Sequence, residues 1–185
     1  VNIQTPSAGG VSHNTYSQFD VSHQGVILNN SHKNVQTQLG GMVAGNPWLA
    51  KGEARIILNE VNSRNPSLLN GFVEVAGKKA QVVIANPAGI SCDGCGFINA
   101  NRATLTTGQP QMKNGSLTGF SVERGEIQIT GKGMDASRTD YTDIIARSVK
   151  INAGLWAQDL KVTTGRNNVD IAHGQIEKKT GDVSS

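Results

Sequence analysis

Cys92-Asp93-Gly94-Cys95 holds both thiols of the chain. A Cys-x-x-Cys pair suits three chemistries: a disulfide, half a zinc site or a redox centre. Zinc needs two further ligands, and the four histidines (His13, His23, His32, His173) are not paired at ligand spacing. A redox pair belongs at the start of a helix, where a thiolate is stabilised, whereas Gly94 and Gly96 suggest a tight corner between strands. Two quartets, Asn46-Pro47-Trp48-Leu49 and Asn86-Pro87-Ala88-Gly89, carry turn chemistry of another kind. Asn bonds its own downstream backbone, Pro fixes φ, and Gly89 tolerates a positive φ. Glu123, Arg124, Glu126 and Lys132 are the charges that would line a groove acting on acidic sugars if the chain were a polysaccharide lyase. Single charges between strands more commonly form a solvated face. There is no Gly-x-Ser-x-Gly elbow, no His-Glu-x-x-His and no phosphate-binding Gly-rich loop. The chain is therefore read as a non-enzyme with no cofactor and no metal.

The elements that must position these residues are short strands. Gly is abundant at 22 residues and aromatics are only 4%, a balance that favours many tight turns over a helical bundle. Glu126-Ile127-Gln128-Ile129-Thr130, Val149-Lys150-Ile151 and Leu160-Lys161-Val162 alternate with period two, and Val82-Val83-Ile84-Ala85 suits a buried strand. Leu105, Ile127, Val149 and Val169 are separated by 22, 22 and 20 residues, the spacing of a solenoid whose coils stack strand on strand. Asn-Pro recurs at Asn46-Pro47, Asn65-Pro66 and Asn86-Pro87, 19 and 21 residues apart, so turns are expected to stack too. Ile98-Asn99-Ala100 leading to Thr106-Thr107-Gly108 is echoed by Ile151-Asn152-Ala153 leading to Thr163-Thr164-Gly165, with four extra residues assigned to a loop. A β-sandwich is the rival, but its hairpin dipeptides are few. Helical periodicity is weak and confined to Tyr141–Arg147.

One domain is expected over 1–185. It would hold a cap and the first strands to about residue 45, since an open solenoid end invites aggregation. Coils would follow over about 46–172, and 173–185 would begin a downstream region. The chain starts at Val1 without Met and reads as a processed or cut-down piece. No stretch approaches the ~20 apolar residues that span a bilayer, so no membrane insertion is expected. Net charge is +3, with basic residues scattered singly, so no nucleic-acid partner is expected.

Asn46-Pro47-Trp48-Leu49, Ile57-Leu58-Asn59-Glu60-Val61 and the run from Ala85 to Asn99 resemble the two-partner secretion domain of bacterial filamentous haemagglutinins, haemolysins and contact-dependent growth inhibition exoproteins. The likeness extends from Val1-Asn2-Ile3 through Leu39-Gly40-Gly41 and Thr106-Thr107-Gly108 to Tyr141–Arg147. Many relatives carry Asn at the third place of both quartets, where Trp48 and Ala88 stand here. The resemblance implies a right-handed parallel β-helix with an N-terminal β cap and short extra-helical strands. It also implies a monomeric domain that crosses the periplasm unfolded and is recognised by the POTRA domains of a cognate outer-membrane β-barrel transporter (TpsB type). The domain would then fold at the cell surface or in the medium. Asn46, Pro47, Trp48, Leu49, Asn86, Pro87, Ala88 and Gly89 become the candidate recognition and turn motifs. An oxidising compartment makes a local Cys92–Cys95 disulfide the expected state. The parent protein is expected to be a contact-dependent inhibition toxin or a haemolysin. The alternative is a surface adhesin domain that binds host glycans through Trp48.

Overall fold

A computed structural model describes residues 1–171 and 176–178. Most of the 173–185 segment lies outside the described residues. The backbone winds through repeated three-strand coils. The first comprises β1 (Val11–Tyr16), a bridge at Val21 and β2 (Val26–Asn30). An excursion follows, holding the hairpin β3 (Val35–Thr37) and β4 (Gly41–Val43) and a 3-10 turn at Pro47–Leu49. The second coil is β5 (Ile56–Val61), β6 (Ser67–Leu69) and β7 (Phe72–Gly77); the third is β8 (Ala80–Ala85), β9 (Ile90–Cys92) and β10 (Cys95–Ile98). The fourth begins with β11 (Ala100–Thr106) and leaves the helix as the hairpin β12 (Gln109–Lys113) and β13 (Ser116–Val122). It returns as β14 (Glu126–Ile129) and β15 (Met134–Ala136). The fifth is β16 (Tyr141–Ile145), β17 (Ser148–Ile151) and β18 (Leu155–Ala157). A last rung, β19 (Leu160–Thr163), precedes β20 (Asn167–Asp170) and β21 (Ile176–Lys178), which leave the helix.

Like strands stack in parallel. Sheet one runs β1-β5-β8-β11-β16-β19, sheet two β6-β9-β14-β17, and sheet three β2-β7-β10-β15-β18. The fold is thus a parallel β-helix, and stacked parallel ladders replace the hairpin pairings of a sandwich. The period-two pattern explains the packing, because every second side chain points into the barrel and meets its equivalent in the next coil. Ile57, Val82 and Ala103 align in one inner column, and Ile84, Leu105 and Ile144 in another; all are fully buried. Alternation fails in β5 and β8, where Leu58, Val83 and Ala85 point outward and are still buried. The outer face of sheet one carries a second core, in which Leu117, Phe120 and Val122 of β13 cover these residues together with Val11 and Ile145. Strands buried on both faces read as continuous apolar runs.

Two expectations are corrected by this register, and one ambiguous segment is resolved. Of the column Leu105, Ile127, Val149 and Val169, only Ile127 and Val149 stack. Leu105 lies between Ile84 and Ile144 in sheet one, and Val169 pairs antiparallel with Phe120 outside the helix. Different faces of a triangular coil share one period, so spacing alone does not say which face a residue occupies. In the textual echo, Ile98 ends a strand of sheet three but Ile151 ends one of sheet two. The four extra residues accommodate a whole strand, β18, and not a loop. Tyr141–Ile145, the one segment with helical periodicity, is strand β16, because its neighbours β11 and β19 supply ladders on both edges.

Candidate functional site: two asparagine turns and a cystine corner

Asn46 caps the 3-10 turn. Its side-chain oxygen accepts from Trp48 N at 3.0 Å, while its Nδ2 donates to the carbonyls of Ile3 (2.9 Å) and Asn29 (3.1 Å). One buried amide therefore joins the N-terminal segment, the first coil and the turn, and Pro47 begins the turn where no amide proton is needed. Leu49 is driven into the core, whereas Trp48 is 55% exposed, its backbone held by Asn46 and by Thr5 Oγ1, which donates to its carbonyl at 2.9 Å.

Asn86 repeats the device at the corner between sheets one and two. Its oxygen accepts from Ala88 N at 3.0 Å, and its Nδ2 donates to Asn65 O (2.8 Å) and Ser67 Oγ (3.0 Å) of the preceding coil. Gly89 sits at φ +121°, a conformation that disfavours any side chain, and an added Cβ would press on the Glu126 carbonyl. The three Asn-Pro turns do not form one ladder, contrary to the spacing. Asn65 and Asn86 share a corner but stand at its opposite ends, and Asn46 belongs to the excursion outside the coils. Asn65 is exposed and bonds Ser17 O.

Cys92 ends β9 and Cys95 opens β10, at the corner between sheets two and three, and a disulfide joins them. Both are buried in the inner core. Gly94 makes the reversal at φ +80°, and the Asp93 carboxylate accepts from Lys132 N of the next coil at 2.8 Å. The charges considered for a lyase are spread along the chain path. Glu123 pairs with Arg166, Glu126 bonds Gln128 and Ser148 at the start of β14, and Lys132 lies in the turn beyond the end of that strand. No group of three or more His, Cys, Asp or Glu side chains suited to a metal ion occurs among the described residues.

Two buried carboxylates escaped sequence reasoning. Glu74, on the outer face of β7, accepts from the backbone of Gln38 (2.9 Å) and Leu39 (2.8 Å), so it clamps the β3–β4 hairpin to sheet three. Asp143 accepts two hydrogen bonds from Arg102 (2.7 and 2.8 Å) and one from Thr104 (2.8 Å). That hydrogen bonding holds Arg102 further above its ordinary value. The signal available was a lone charge inside an apolar strand, as in Val73-Glu74-Val75 or Thr142-Asp143-Ile144.

A capped parallel β-helix with paired Asn-Pro turns defines a class that known proteins share. The family model for the TPS secretion domain matches residues 1–185. The fold is similar to the crystal structure of the filamentous hemagglutinin secretion domain, with a TM-score of 0.89 at 37% identity, covering all of this chain and 64% of that one. A protein named Toxin CdiA of Yersinia pestis is 69% identical over 182 residues, which are 98% of this chain and 6% of that protein. A tRNA nuclease CdiA-2 of Burkholderia pseudomallei is 55% identical over 92% of this chain and 6% of its own length. The chain is a secretion domain. It belongs to the two-partner secretion (TPS) domain family, in the group found in CdiA exoproteins. It spans about 6% of the length of these curated relatives.

Proposed function

We propose that this domain acts as secretion signal and folding nucleus of a large exoprotein. The POTRA domains of a cognate outer-membrane β-barrel transporter would recognise it in the periplasm and deliver it to the cell surface or medium. A POTRA sheet edge can pair with an extended segment, because main-chain bonds give affinity and alternating pockets give selectivity. The segments containing Asn46-Pro47-Trp48-Leu49 and Asn86-Pro87-Ala88-Gly89 are the candidates, with Pro47 and Trp48 exposed among them.

The observation that supports the nucleus role is the stacking of one coil on the next with shared inner columns, such as Ile57, Val82 and Ala103. At the first coil Ile3 and Leu49 are buried as plugs. In the last described rungs Ile151, Leu160 and Val162 continue the inner columns. A further coil stacked there would bury apolar surface and complete strand hydrogen bonds, which opposes backsliding into a pore.

The parent is proposed to be a contact-dependent inhibition toxin. Relatives that share this segment bear different names, tRNA nuclease in some and 16S rRNA endonuclease in one from Enterobacter cloacae. This favours an activity located elsewhere in the parent, and it favours the secretion reading over direct glycan binding through Trp48. In cells co-expressing the transporter, Asn86→Ala or Pro47→Ala should lower the amount exported while refolded protein keeps its β-sheet circular dichroism. Undiminished export would remove the turns from the recognition step.

A further inference from the structure

The extra-helical sheet has an order of assembly written into its connections. Hairpin β12–β13 leaves the helix within the fourth coil, yet the surface it covers is contributed by β1, β5, β8 and β16, through Val11, Leu58, Val83, Ala85 and Ile145. The hairpin tip, Asn114-Gly115, reaches the N-terminal segment, where Ser7 Oγ donates to the Gly115 carbonyl. The other edge of β13 is taken by β20, antiparallel, with Gly119 opposite Asp170 and Val122 opposite Asn167. Strand β20 follows the last rung of the helix.

The same hairpin is thus anchored at one end to the segment before the first rung and along its edge to the strand after the last. Its apolar face has no complete surface to lie on until β16 has stacked, and its edge has no partner until β20 arrives. Before that, β13 presents an open row of backbone donors and acceptors.

We propose that this sheet is a strap that closes last and locks the covered rungs of sheet one against reopening. The residue that permits closure is Gly119. A Cβ there would run into the Val169 carbonyl oxygen, although its own backbone lies outside the positive-φ region. Gly119→Ala therefore obstructs the β13–β20 approach without straining the hairpin. The inference uses the secretion reading only for its biological benefit, an N-terminal unit that does not slip back. Its test needs no transporter, so the two can fail separately.

The test is pulse hydrogen exchange during refolding of the 185-residue chain. Amides of β13 and β20 should gain protection in the final phase, after those of β5, β8, β11 and β16. In Gly119→Ala that phase should be lost while the rungs still form, with exchange in sheet one several-fold faster than in the parent chain. Simultaneous or earlier protection of β13 and β20 overturns the proposal. So does a Gly119→Ala chain that keeps the late phase, or one that loses the rungs with it. A second variant, Ser121→Cys with Asn168→Cys, joins directly opposed residues of the two strands. Once oxidised it should slow exchange in sheet one several-fold; unchanged exchange would mean that the strap locks nothing.

Discussion

Asparagine is the residue on which this fold depends most visibly, because a coil corner leaves backbone groups that no ladder can satisfy. Asn46 and Asn86 are buried and fully used, each accepting from the residue two places on and donating twice. Asn86→Ala would strand an amide and two acceptors, at a cost of roughly 2–4 kcal/mol. A urea midpoint measures it. An export defect in that variant must accordingly be judged against its folding. Tyr16 gives a pH signature. Burial raises its pKa above 10.0, and its hydroxyl donates to Asn59 Oδ1 at 3.3 Å. A raised value means the folded state holds the proton more tightly, so this contribution is complete below the unfolded pKa and is lost as pH rises through the folded one. Stability should fall as pH rises past about 10, and Tyr16→Phe should flatten the fall. The sequence marked Asn46 and Asn86 through the prolines that follow them. For Glu74 and Asp143 it offered only a lone charge in an apolar strand and not their partners, which come from the β3–β4 hairpin and from the preceding coil.

At the scale of elements, strands were legible where apolar and polar residues alternate, as in Glu126–Ile129, which buries one face and wets the other. Their sheets were not legible, because three faces share nearly the same period. The hairpin β12–β13 was invisible for another reason: it interrupts the fourth coil, so Ala103 and Thr142 stack although 39 residues separate them. The cystine corner shows what a local crosslink contributes. Closing so short a loop gives about 2 kcal/mol by the chain-entropy estimate. Reduction should therefore lower the denaturant midpoint by no more than that and leave the β-sheet spectrum intact. Collapse of the fold on reduction would mean that the corner between β9 and β10 cannot form without it.

At the scale of the whole molecule, coils stack one on another in parallel register, with Ile3 and Leu49 buried at the first of them. A directional solenoid of this kind suits a chain that must begin folding at one point and grow from it. Family membership makes it a secretion domain, and the transporter is the partner on which the account rests. The direct measurement is export of this chain, carrying a C-terminal epitope, from cells with and without the cognate two-partner transporter. The account predicts epitope in the medium, folded and protease-resistant, only when the transporter is present. Equal amounts in the medium without it, or none with it, would contradict the account.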